Sequence, residues 1–147
     1  MDLACGLGKN SLFLAKHGLD VDAVDGSIEG LNRLQAFAQA SGLDERIQVY
    51  QADLDGYTLT ESCYDLVLVV RYLNRKLFPT IASSIKPDGI LIYKTFNRNI
   101  LKQRPSFNPA YTIETQELAD AFPMLEVIAD NREDVNSEYA FMIGRKA

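Results

Sequence analysis

The sequence predicts an α/β domain with a mostly parallel sheet and helices on both of its faces. Three observations carry that expectation. Strand-like and helix-like patterns alternate along most of the chain, which is the signature of parallel strands joined by crossover helices. The run Leu66-Val67-Leu68-Val69-Val70 is apolar without interruption, as suits a strand buried on both faces. The stretch Asp2-Leu3-Ala4-Cys5-Gly6-Leu7-Gly8 reads as a strand end passing through a glycine turn into a helix.

Taken in order, that first helix covers Asn10 to His17 and stops at Gly18. Leu19 to Val24 reads as the second strand and ends at Asp25-Gly26. Ser27 is a good N-cap for a helix that sets Ile28, Leu31, Leu34 and Ala38 on one face and finishes near Ser41-Gly42. Arg46 to Ala52 makes a third strand that runs into Asp53-Leu54-Asp55, and Tyr64 to Val70 a fourth. Pro79 fits the first turn of a helix over about Phe78 to Ile85, which Lys86-Pro87-Asp88-Gly89 stops before a fifth strand, Ile90 to Phe96. Asn97 to Tyr111 is polar, holds Pro105 and Pro109 and shows no period, so it reads as a long loop. A short helix over Thr115 to Phe122 follows. Leu125 to Ala129 and Tyr139 to Arg145 are then two strands joined by the acidic turn Asp130 to Glu138.

Bulk properties narrow the function classes. A chain of 147 residues, 47% of them hydrophobic, is expected to form one domain with a substantial core. A net charge of -5 argues against a nucleic-acid groove, which normally needs a basic face. Two cysteines, Cys5 and Cys63, do not make a disulfide framework, so free thiols in a reducing, cytoplasmic setting are expected. The aliphatic run Leu66 to Val70 is far too short to cross a bilayer, and no membrane association is expected. Asp53-x-Asp55 and Asp20-x-Asp22 lack the ligand count of a metal site. His17, the single histidine, fits a helix C-terminus better than catalysis.

The glycine turn points to a ligand. Gly6 and Gly8 have no Cβ, so the backbone bends tightly and a ligand can lie against it, in front of a helix N-terminus. A Walker loop is excluded, because Leu3 stands where its first glycine belongs and Asn10 where its hydroxyl residue belongs. A dinucleotide fingerprint fits Gly6 and Gly8 but meets Ser11 at its third glycine position. Asp25 and Asp53 close the second and third strands, beside that turn in a parallel sheet. A carboxylate at the end of the second strand can accept two hydrogen bonds from a ribose diol, in dinucleotide enzymes and elsewhere alike.

Asp2, Ala4, Gly6 and Gly8 together resemble the first motif, Asp/Glu-x-Gly/Ala-x-Gly-x-Gly, of the class I S-adenosylmethionine-dependent methyltransferases. Ala52-Asp53-Leu54 resembles that superfamily's adenine-binding segment, and the last two strands resemble its closing antiparallel hairpin. Within the superfamily, Arg71 to Pro79, Pro87 to Phe96 and Pro105 to Pro109 look like a bacterial group related to the tellurite-resistance methyltransferases. The resemblance implies a Rossmann-like three-layer sandwich with strand order 3-2-1-4-5-7-6, the seventh strand antiparallel. It implies S-adenosylmethionine as cofactor and a small-molecule methyl acceptor.

By the same resemblance Asp2, Ala4, Cys5, Gly6 and Gly8 would hold the methionine moiety, mainly through backbone atoms. Asp25 with Gly26 would hold the ribose, and Ala52, Asp53 and Leu54 the adenine. Val70 would pass close to the sulfonium, and Arg71 and Tyr72 are the acceptor-side candidates. Tyr72 would pack on the acceptor or assist proton removal. Arg71 would bind an anionic substrate or pair with a carboxylate such as Glu114. No residue stands out as a catalytic acid or base. Members of the superfamily carry apolar residues before the first aspartate and a further helix before those. The expectation is therefore of a domain lacking its usual first helix and the start of its first strand, with weakened cofactor affinity. A nicotinamide-dependent oxidoreductase and an inactive methyltransferase-like domain are the alternatives.

Overall fold

The alternation of elements is realised in a computed structural model that describes every residue from Met1 to Ala147. The chain divides into two compact units, Met1–Tyr57 and Thr58–Ala147.

The first unit begins with β1 (Asp2–Leu3), whose two residues are both buried. The glycine turn leads into α1 (Lys9–Lys16), then β2 (Val21–Asp25), α2 (Ile28–Ala40) and β3 (Ile47–Gln51). The three strands are parallel in the order β3-β2-β1, with Leu3 beside Val24 and Val24 beside Tyr50. Ala15, Val21, Ala23, Leu34, Ala38 and Ile47 pack together as the core between helices and strands.

Helix ends account for two departures from the sequence reading. Leu19, expected in the second strand, instead closes the end of α1. Its N–H bonds the carbonyl of Leu14 while that of Gly18 bonds Ala15, the Schellman arrangement, so β2 starts only at Val21. Ile28, expected on the buried face of α2, is 52% exposed. Gly30 turns inward in its place with Leu31, Leu34 and Ala38, and at 100° per residue Ile28 lies roughly 100° from the centre of that stripe. Ser27 caps α2 as expected, its Oγ accepting from the Gly30 N–H at 3.2 Å.

The second unit comprises β4 (Tyr64–Val70), α3 (Phe78–Ser84), β5 (Ile85–Phe96), α4 (Ile100–Gln103), α5 (Thr115–Asp120), β6 (Leu125–Asp130) and β7 (Tyr139–Lys146). Its strand order is β4-β5-β7-β6, with β4 parallel to β5 and β7 antiparallel to both β5 and β6. These are the two runs, 3-2-1 and 4-5-7-6, of the order the sequence led us to expect. One face of this sheet is fully buried through Val67, Val69, Leu91, Tyr93, Ala140 and Met142. The Tyr93 ring meets Phe78 edge-on at 5.9 Å and Phe122 at 6.2 Å, which anchors this core. At the end of α3, Lys146 Nζ donates to the carbonyls of Ala82, Ser83 and Ile85, satisfying groups the helix leaves open.

Two further expectations are corrected here. Lys86–Gly89 does not precede the fifth strand but bulges out of it. Ile85 pairs with Tyr64 and Ile90 with Leu66, and Asp88 takes φ 62° between them. The Asn97–Tyr111 loop contains α4 and a 3-10 turn at Pro109–Tyr111. Ile100 and Phe107 hold it down, the first fully buried and the second with its ring 4.9 Å from that of Phe96. Two anchors seven residues apart are too sparse to register as a period. No helix is long and apolar enough to cross a membrane.

Candidate functional site

The glycine turn is held from below and from the side. Three backbone positions enter the left-handed region: Ala4 at φ 59°, Gly6 at 57° and Gly8 at 74°. At Gly6 a Cβ would meet nothing within 4 Å, so the space over that residue is open. At Gly8 a Cβ would lie 2.4 Å from the buried Leu34 side chain, so packing forbids one there as well. Helix α2 presses on the same turn through Gly30, where a Cβ would stand 2.9 Å from the Gly6 carbonyl oxygen. The sequence reading missed Gly30, because a glycine inside a helix carries no signal of what lies opposite it.

Asp25, at the tip of β2, grips the turn directly. One of its oxygens accepts the Gly6 N–H and the other the Ser27 N–H, each at 2.8 Å. The carboxylate thereby ties the glycine turn to the start of α2. Each oxygen retains a second lone pair for a ligand hydroxyl. The amides of Cys5, Gly6 and Gly8 are spent within the protein. Cys5 donates to the Val24 carbonyl at 3.0 Å and Gly8 to the Cys5 carbonyl at 2.9 Å, with Gly6 on Asp25. What these residues offer a ligand is therefore close backbone approach over Gly6.

Beneath the turn Asp2 is 1% exposed and accepts the Ser11 hydroxyl at 2.6 Å. Burial pushes the Asp2 carboxyl above the ordinary aspartate range, against the opposing effect of that hydrogen bond. Ser11 thus has a use of its own at the position where a dinucleotide turn has its third glycine. The side chain of Asp2 braces the junction of β1 and α1.

At the tip of β3 the Ala52 N–H donates to the Asp25 carbonyl at 3.1 Å, which carries the β2–β3 ladder to its last residue. A Cβ on Gly26 would come within 3.6 Å of the Ala52 carbonyl. Leu54 is buried, whereas Asp53 is exposed and folded back on its own loop, one oxygen accepting the Asp55 N–H at 2.9 Å. The structure therefore joins Cys5, Gly6, Gly8, Asp25 and Ala52 in one hydrogen-bond network, with Ala4 in the same turn, Asp2 beneath it on Ser11 and Gly26 beside Ala52. Asp53 and Leu54 sit at its edge.

Cys5 is no nucleophile. Burial first, then the charges of Asp2 and Asp25, push its thiol up to about 12. His17 lies at the end of α1 with Nδ1 2.8 Å from the Phe13 carbonyl, a capping position.

In the second unit Val70 ends β4, and Arg71 follows it at φ 58° with its N–H donating to the Lys94 carbonyl at 2.7 Å. The Arg71 guanidinium lies 3.4 Å from the Tyr139 hydroxyl and makes no ion pair with Glu114, which faces Arg98 at 3.9 Å. Tyr72 is half-buried, and its carbonyl accepts the Tyr93 hydroxyl at 3.0 Å. Arg75 pairs with Glu117 at 2.6 Å, which holds that carboxyl below its usual range.

A glycine turn locked to the acidic tip of the neighbouring strand, in front of a helix start without a side-chain cap, is an arrangement found in α/β proteins that hold nucleotides beyond their strand ends. The particular family follows from comparison. Residues 1–89 match the methyltransferase domain family, and the chain belongs to it. A ubiquinone biosynthesis O-methyltransferase of Actinobacillus pleuropneumoniae is 26% identical over 110 residues, covering 68% of this chain and 46% of that protein. The chain spans less than half the length of the first curated relatives it matches, 40 to 46%. An S-adenosylmethionine-dependent methyltransferase from Mesorhizobium loti superposes on 99% of this chain and 89% of its own, with TM-score 0.79 at 17% identity. A geranyl diphosphate C-methyltransferase from Streptomyces coelicolor, solved with S-adenosyl-L-homocysteine, covers 99% of this chain and 70% of its own, with TM-score 0.78 at 12% identity. Those two likenesses establish the Rossmann-like methyltransferase fold.

Proposed function

We propose that this chain is an S-adenosylmethionine-dependent methyltransferase domain acting on a small-molecule acceptor. The observation that carries the reading is the 2.8 Å bond from the Gly6 N–H to Asp25, which holds a glycine turn open toward a strand-tip carboxylate. The open space over Gly6 suits close approach of the cofactor's amino-acid tail to the backbone. Asp25, with lone pairs to spare, suits a ribose diol, and Gly26 allows close approach beside it. Ala52, Asp53 and Leu54 together offer a backbone edge, a carboxylate and an apolar side chain for an adenine. When bound, the cofactor supplies an electrophilic methyl group on a sulfonium.

The residues of this chain contribute mainly by holding and aligning, and alignment accounts for most of the rate in a displacement of this kind. In this reading Val70 lies near the reacting centre, and Arg71 and Tyr72 face the acceptor. The stretches Arg71–Pro79, Pro87–Phe96 and Pro105–Pro109 favour the group related to tellurite-resistance methyltransferases. The two free thiols, Cys5 and Cys63, favour a cytoplasmic setting.

Equilibrium titration with S-adenosylhomocysteine and with NAD, side by side, tests the cofactor assignment. Saturable binding of the first without the second is the expected result, and the reverse would overturn it. A coupled assay for S-adenosylhomocysteine release across acceptor classes then tests the transfer.

A further inference from the structure

We propose that Arg71, Lys94 and Tyr139 form a binding site for an aromatic carboxylate. Lys94 lies opposite Phe141, and Phe96 opposite Tyr139, in the β5–β7 ladder, so all four side chains share one face of the sheet. The Lys94 ammonium stands over the Tyr139 ring, 4.5 Å from its centroid. Arg71 reaches the other end of the same side chain, its Nη2 3.4 Å from the hydroxyl. Phe96 stacks on Tyr139 at 5.4 Å and 26°, and Phe107 meets Phe96 edge-on at 4.9 Å. Two cations are thus set at one ring, against an aromatic shelf.

Neither cation has a carboxylate partner, although seven other basic residues of this chain do: Arg33, Arg46, Arg75, Lys86, Arg98, Arg132 and Arg145. The chain carries 20 acidic residues against 15 lysines and arginines, so acid is not scarce, yet none comes within ion-pair distance of either cation. Arg71 also holds a left-handed backbone at φ 58°, which disfavours any residue with a Cβ. Paired like charges with no counter-ion call for an anion. An arginine fork favours a planar carboxylate, and the ring shelf favours a flat apolar body attached to it. A bare phosphate would use the charges and leave the shelf idle.

This inference rests on the methyl-transfer reading only for the ligand's role, which there is that of the acceptor, anchored by its carboxylate. Binding itself is testable on the chain alone. Isothermal titration with 4-hydroxybenzoate and with 4-hydroxybenzamide separates charge from shape, and each titration is repeated on Arg71→Asn and Lys94→Gln. Asparagine tolerates the left-handed backbone, so the first variant removes the cation with little strain. Binding of the benzoate, weakened about tenfold or more in the amide and in each variant, is the expected result.

Equal binding of acid and amide, unchanged binding in both variants, or no benzoate binding would each overturn the site. Should Arg71→Asn fail to fold, the exposed Lys94 carries the test. A parallel S-adenosylhomocysteine titration separates the two claims. Cofactor binding without benzoate binding defeats this inference, whereas benzoate binding without cofactor binding defeats the methyl-transfer reading and leaves the site standing.

Discussion

Replacing Asp25 with asparagine should damage the fold and the ligand site together, because one carboxylate serves both. In the native turn each oxygen takes a backbone N–H at 2.8 Å, from Gly6 and from Ser27. Asparagine keeps one acceptor and turns an NH2 group toward the other amide. One charge-assisted bond worth about 1.5–3 kcal/mol is lost and its neighbour falls to a neutral bond of about 0.5–1.5 kcal/mol, so the variant loses roughly 2–4 kcal/mol. At about 3 °C per kcal/mol for a chain of this size, calorimetry should show the melting point lower by roughly 6–12 °C. Titration with S-adenosylhomocysteine at a temperature where the variant remains folded should show affinity down by about tenfold or more. Asp53→Asn is the paired control. Its side chain is exposed and an amide oxygen can still accept the Asp55 N–H, so stability should hold while affinity falls. A melting point for Asp25→Asn within about 2 °C of the native chain, or an Asp53→Asn equally destabilised, would refute this account.

Gly30→Ala should separate α2 from the turn, since its Cβ would stand 2.9 Å from the Gly6 carbonyl oxygen, and backbone cannot swing aside. A loss of about 1–3 kcal/mol in urea unfolding, with weaker cofactor binding, is expected. Asp2 makes stability depend on pH in an unusual direction. Burial raises its folded-state value, so its contribution is fully present below the unfolded aspartate value and is lost as pH rises through the folded one. The stability of the native chain relative to Asp2→Asn should therefore decline as pH rises above about 4 in urea titrations, and a rise would contradict the burial argument. Ser11→Ala, which leaves that carboxyl without its 2.6 Å donor, should cost about 1–3 kcal/mol at neutral pH. Timed alkylation at about pH 8 should modify the exposed Cys63 readily and leave Cys5, with its thiol pushed up to about 12, almost untouched. Equal rates would show that the turn opens.

Local patterns made much of this protein legible. The alternation of elements, the cap at Ser27, the stop at Gly18 and the buried run Leu66–Val70 all follow from neighbours within one or two turns of chain. So does the choice of Gly6 and Gly8, whose left-handed backbone is a property of the residue itself. Boundaries slipped at Leu19, which the end of α1 claims through Leu14, and at Lys86–Gly89, where a long-range pairing with β4 bulges the strand.

The sequence by itself determined which residues form the turn and the strand-tip carboxylates, because spacing and backbone preference are written into short segments. Only the tertiary structure decided what those residues hold. The Asp25 carboxylate meets an amide 19 positions earlier in the chain, and Arg71 meets a tyrosine 68 positions later. Partners so far apart leave no periodic trace, and packing alone brings them within hydrogen-bond reach.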